Sequence, residues 1–154
     1  MAPESTRDGL DPLLLRRAAA LVDQGAASVV REHRLTVDQW RMLELLAVHG
    51  PLAMSTLCGE LSLAGATATR VADHLVTEDL AHRDIDDIDR RRVVLHASRQ
   101  GRHLYGQLVE KVEAAQEQEL RALADTEPER LARLIDRFPG PSSIPESFSQ
   151  TSGR

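Results

Sequence analysis

The sequence predicts a mainly α fold with one small β-hairpin. Apolar residues recur at spacings of three and four along most of the chain. The period shifts to two only between Leu80 and Ala97. Aromatic residues make up 3% of the 154: Trp40, Tyr105, Phe138 and Phe148. The core is therefore aliphatic, which suits packed helices better than a β-sandwich. This length predicts a single domain, residues 11–138, with a flexible arm at 1–10 and a disordered Pro/Ser-rich tail at 139–154.

The first helix opens at Asp11-Pro12, with Asp as cap and Pro inside the first turn. Leu14, Ala18, Leu21, Gly25 and Val29 carry its stripe to about Arg31. Thr36-Val37-Asp38-Gln39 is a capping box that starts the next helix, with Trp40, Leu43, Leu46 and Ala47 on one face. His49-Gly50-Pro51 stops it. A short helix at 54–61 carries its apolar residues at Met54, Leu57, Cys58 and Leu61. After a turn at Ser62-Leu63-Ala64-Gly65, a helix at 65–78 turns Ala68, Val71, Ala72 and Leu75 inward. Strands follow at 80–85 and 92–97, joined by the charged tip Asp86-Asp87-Ile88-Asp89-Arg90-Arg91. Ser98 caps a long helix reaching about Ala124. Thr126-Glu127-Pro128-Glu129 is a second capping box, opening a last helix that ends near Phe138.

Several function classes are excluded. The longest apolar run is five residues, Ala18 to Val22, far short of the ~20 that cross a bilayer. No basic-then-apolar leader opens the sequence, so a cytoplasmic protein without membrane partners is expected. Cys58 is the only cysteine, which rules out an internal disulfide, and its apolar helix face makes it a core filler. Six histidines lie scattered, none at i, i+4, so no metal site is expected. Neither Ser55 nor Ser98 has a nucleophile's setting and no Gly-rich phosphate loop appears, so neither an enzyme nor a cofactor is expected.

Two short helices, a tight turn between them and a charged hairpin make a winged helix-turn-helix at 35–97. In such a unit the second helix enters the DNA major groove and the hairpin reaches the neighbouring minor groove. The outer side of 65–78 carries Thr67, Thr69, Arg70 and His74, groups suited to phosphates, thymine methyls and guanine edges. Arg90 and Arg91 at the tip suit the minor groove. The net charge is −5, so the positive charge must act locally. Eighteen of the 19 basic residues are Arg, which has a plainer source in GC-rich coding.

These residues resemble the MarR (multiple antibiotic resistance regulator) family. The matching pieces are Leu35-Thr36-Val37-Asp38-Gln39-Trp40, His49-Gly50-Pro51-Leu52 and Thr67-Ala68-Thr69-Arg70-Val71-Ala72-Asp73-His74-Leu75. The stretch Arg83-Asp84-Ile85-Asp86-Asp87-Ile88-Asp89-Arg90-Arg91 follows, then Gly101. The resemblance implies a homodimeric transcription factor, usually a repressor, that binds a pseudo-palindromic double-stranded DNA operator. It implies dimerisation helices from both chain ends, here 11–34 and 98–138. It also implies that Asp89 pairs with Arg70 and orients it; alternatively Asp84, Asp86 and Asp87 simply lie on the far side of the hairpin. The family often has Ser-Pro-Ser where this chain has Ala64-Gly65-Ala66, so the helix start loses a cap.

Many relatives of this kind release DNA when a phenolic or other aromatic anion binds. His33, Trp40 and Arg41, around the turn between the first two helices, are the candidates for holding such an effector, although Trp40 is better explained as a core anchor. The sequence thus points to a DNA-binding repressor released by a small molecule. The alternative is a helical ligand-binding or interaction protein of the same fold with weak or lost DNA binding.

Overall fold

The structure, a computed structural model, describes residues 12–85 and 93–126. Helix α1 spans Pro12–Val30 and buries Leu14, Gly25, Ala26 and Val30. It stops one residue early, in a 3-10 turn at Arg31–His33, where Arg34 takes a left-handed conformation (φ 59°). The Leu35 N–H donates back to the Val30 carbonyl across this turn.

Helix α2, Val37–His49, starts at the expected capping box: the Thr36 hydroxyl accepts from the Gln39 N–H, and the Gln39 side chain accepts from the Thr36 N–H. It buries Trp40, Met42, Leu43 and Leu46. Gly50, at φ 82°, lets the chain turn out of the helix. Strand β1 follows at Leu52–Ala53, an element too short to leave any period in the sequence. Then come α3, Met54–Leu61, and α4, Gly65–Thr77.

Strands β2, Ala81–Ile85, and β3, Val93–Ala97, form the expected hairpin arms. Their antiparallel register pairs Ala81 with Ala97 and Ile85 with Val93. β1 adds to the other side of β3, pairing Leu52 with Leu95, so the hairpin belongs to a three-stranded sheet of order β1-β3-β2. This anchors the wing to the helical body through Leu52 and Leu95, both buried.

Helix α5, Arg99–Thr126, is capped by Ser98, whose hydroxyl accepts from the Gly101 N–H at 2.9 Å and donates to the Asp79 carbonyl at 2.5 Å. α5 lies against α1 so closely that a Cβ on Gly25 would sit 2.8 Å from the Gln116 backbone. The main core joins these elements, with Trp40, Leu57, Leu75, Leu95 and Leu108 at its centre, and Leu14 and Leu123 form a second buried cluster between α1 and α5. Among the described residues, no helix is long and apolar enough to cross a membrane. The arm with the Asp11 cap, the hairpin tip at 86–92, and everything after Thr126, including the second capping box, the last helix and the tail, lie outside the described residues.

Candidate nucleic-acid interface

The interface follows from how α4 is buried. Ala68, Val71, Ala72 and Leu75 fill its inner side, as the spacing predicts. The opposite side is then turned to solvent. Thr69, Arg70 and Asp73 are exposed there, while Thr67 and His74 flank them half-buried. Arg70 has no ion pair or hydrogen bond among the described residues, so its five donors are open to a base edge or phosphate. The Thr69 hydroxyl donates to the Gly65 carbonyl at 2.9 Å. That leaves Thr69 a methyl and oxygen lone pairs to offer, which fits a thymine methyl or an amino group better than a phosphate. His74 Nε2 is buried without a hydrogen-bond partner among the described residues, so this residue stands back from the outer face. The start of α4 is bare as well. Ala64 provides no side-chain cap, and its carbonyl takes the N–H groups of Thr67 and Ala68.

The wing stands beside this helix. β2 is an edge strand of the sheet, and α4 packs on its root. Arg83 of β2 donates to Asp73 of α4 at 2.5 Å, tying wing to helix. On the same face of the hairpin, Ile85 and Val93 oppose each other, 58% and 49% exposed. On the other face His82 and His96 pair across the strands with ring centroids 5.0 Å apart and planes 12° from parallel. Histidines that look scattered along the chain are therefore neighbours in space; the antiparallel register brings them together. Among the described residues no group of three or more metal-ligating side chains forms. Asp89, Arg90 and Arg91 lie outside the described residues, and with them the implied Asp89–Arg70 pair.

The candidate effector residues are not gathered in one cavity. Trp40 is 1% exposed and stacks on Tyr105 of α5, centroids 5.5 Å apart, so it is a core anchor. Arg41 is bonded to Asp23 of α1. His33 is exposed in the 3-10 turn. An open groove of about 670 Å³ runs along α1 instead, lined by Ala20, Asp23, Gln24, Ala27, Ser28, Arg31 and Val37. Beside the Trp40–Tyr105 stack, burial holds the Glu44 carboxyl above its ordinary value, Glu113 adds to this and Arg41 opposes it. Burial, with Glu44 and Glu113, likewise raises the Tyr105 hydroxyl. The sequence reading missed the Asp73–Arg83 and Arg41–Asp23 bonds. Both join residues ten or more positions apart on different elements, where spacing carries no signal.

Comparison with known proteins agrees with this geometry. Residues 35–93, the helix-turn-helix and most of the wing, match the sequence model of the MarR family. The HTH-type transcriptional regulator YsmB of Bacillus subtilis, itself uncharacterized, is 28% identical over 97 residues, covering 63% of this chain and 66% of its own. The crystal structure of NadR in complex with 4-hydroxyphenylacetate superposes with a TM-score of 0.64 at 25% identity, over 88% of this chain and 94% of that one. MepR of S. aureus, solved as a DNA complex, shares the fold with a TM-score of 0.65 at 20% identity, over 80% of this chain and 92% of its own. Proteins of the MarR family are transcriptional regulators, not enzymes. The match over 35–93, the exposed outer face of α4 and the three-stranded sheet make this stretch similar to the winged helix-turn-helix domain of the MarR family.

Proposed function

We propose that the chain binds double-stranded DNA as a homodimer and represses transcription until a small aromatic anion releases it. One observation carries the DNA reading: Arg70 stands exposed on the outer face of α4, without a partner among the described residues, and Arg83 ties the wing's first strand beside it. Thr69 and Arg70 then read the major groove, with Thr67 and His74 at the edges of the contact. Arg90 and Arg91, guided by Asp89, serve the minor groove. Two copies on a two-fold axis call for a pseudo-palindromic site. The dimer uses helices at 11–34 and 98–138, with an interface above ~2,000 Å².

For the effector, NadR carries 4-hydroxyphenylacetate, a phenol with a carboxylate. In this chain Arg31, on the α1 groove, is the cation such a ligand would meet, because Arg41 is already bonded to Asp23. The cytoplasm is where such a regulator works.

The test is fluorescence anisotropy on DNA from upstream of the chain's own gene, with light scattering alongside. Wild type binds that DNA well above scrambled DNA and scatters as a dimer. Arg70→Ala relaxes sequence choice, by ~1–3 kcal/mol at one position per half-site. Arg90→Ala weakens both DNAs alike and lowers the salt slope by about one unit per half-site. Adding 4-hydroxyphenylacetate or a similar aromatic acid lowers the anisotropy. Wild type failing on every DNA tested would favour the rival reading, a ligand-binding protein that kept the fold.

A further inference from the structure

Asp73 is an unexpected residue on a face that meets DNA. It is the one acidic residue of α4. It follows Arg70 by three positions, so both lie on one side of the helix. Its side chain is 54% exposed, and a bare carboxylate there would repel phosphate and compete for the Arg70 guanidinium. The structure gives it a partner on another element instead: Arg83 Nη2 lies 2.5 Å from Asp73 Oδ1. Arg83 is central in β2, opposite Leu95 of β3, and Leu95 is wholly buried. Its backbone is thus fixed by the sheet, while its side chain reaches across to the recognition helix.

We propose that the Asp73–Arg83 pair is a specificity strut between recognition helix and wing, with Arg83 a positioning residue rather than a DNA contact. The proposal rests on the DNA-binding reading above. The pair does two things. It cancels the negative charge that α4 would present beside Arg70. It also sets the distance between the groups entering the major and minor grooves, so that only DNA of matching shape engages both. The strut accounts for one of the seven acidic and one of the five Arg residues between Ala64 and Arg92, a stretch whose acidity otherwise opposes DNA binding. An exposed ion pair adds little to folding stability, so the signature lies in DNA selectivity and not in melting temperature.

The experiment measures affinity for operator and scrambled DNA at several salt concentrations, using full-length wild type, Asp73→Asn, Arg83→Gln and the double variant. Asp73→Asn frees the Arg83 charge. It tightens binding to scrambled DNA, steepens the salt slope by about one unit per subunit, and cuts the operator-to-scrambled ratio about tenfold. Arg83→Gln leaves Asp73 bare and weakens binding to both DNAs. The double variant restores the charge balance without the bond: its salt slope returns to that of wild type while the selectivity stays low. Selectivity restored in the double variant would overturn the strut and leave charge cancellation alone. A ratio unchanged in all three variants, with wild type still binding its operator, would overturn the whole proposal and leave the DNA-binding reading intact. Wild type binding no DNA would remove both.

Discussion

Gly101 and Leu80 touch backbone to backbone. A Cβ on Gly101 would overlap the Leu80 carbonyl oxygen and sit 3.0 Å from its carbonyl carbon and from Leu43 Cδ1. The same Leu80 carbonyl accepts from the Ser98 N–H at 3.0 Å, so the start of α5 is clamped against the start of the wing. The nearest obstacle, the Leu80 carbonyl, is backbone and cannot move aside as the end of a side chain could.

Gly101→Ala is therefore expected to destabilise by ~3 kcal/mol or more, the cost of overpacking where the neighbours cannot give. Gly106→Ala, in the same helix with nothing within 4 Å of its would-be Cβ, is expected to stabilise by ~0.5–1 kcal/mol through helix propensity alone. Urea denaturation of the two variants checks both signs. Equal effects would mean that the contact at Gly101 is not a constraint.

How much of this was legible beforehand follows from range. The Thr36–Gln39 capping box and the Ser98 cap read directly, because each is completed within three residues. The inner face of α4 read correctly from helical spacing. Gly101 stood out only as part of a family pattern; the reason for it, the Leu80 carbonyl, is twenty-one residues away. β1 left no trace, because two residues have no period. Asp73–Arg83, Arg41–Asp23 and His82–His96 depend on tertiary approach or strand register. Effector contacts assigned from nearness in sequence met the same obstacle: Trp40 faces the core, and Arg41 faces Asp23.

The bare start of α4 predicts a gain. Ala64 sits at the N-cap with extended backbone (φ −63°, ψ 144°), the conformation a capping serine uses. In Ala64→Ser the hydroxyl can accept from the Ala66 N–H, while the Thr67 N–H already has the residue-64 carbonyl. We expect ~1 kcal/mol of added stability by thermal or chemical denaturation. On the proposed DNA-binding reading operator affinity also rises, because the hydroxyl is added at the helix end that would approach the DNA backbone. Unchanged stability would show that solvent already satisfies the Ala66 N–H.

Cys58 is half-buried in α3 and packs against the main core. It has no second cysteine to resolve an oxidised form. Cys58→Ala is expected to cost about 1 kcal/mol or less and to leave DNA binding unchanged, before and after mild peroxide. If peroxide releases wild type from DNA but not the variant, Cys58 is a sensor and not a filler.

The last prediction concerns Glu44, half-buried on α2. Burial raises its carboxyl above the ordinary 4.5, the Glu113 carboxylate raises it further, and Arg41 pulls it back. For an acid, a raised folded value means that the folded chain holds a proton the unfolded chain has already lost. Ionised Glu44 therefore subtracts from stability at neutral pH. The penalty fades as pH falls through the folded value and is gone below about 4.5, where both states are protonated. Glutamine has nearly the same shape and cannot ionise. Glu44→Gln should then melt higher than wild type near pH ~7.5, and the two melting curves should converge as pH approaches 4.5. Glu113→Gln should give a smaller gain over the same range, because it removes only the second of the two causes. Arg41→Gln should do the reverse for Glu44, and also loses the bond to Asp23. Thermal melts of wild type and the three variants across that pH range decide it. A Glu44→Gln difference that stays constant with pH would mean that the change acts through packing and that the buried charge costs nothing.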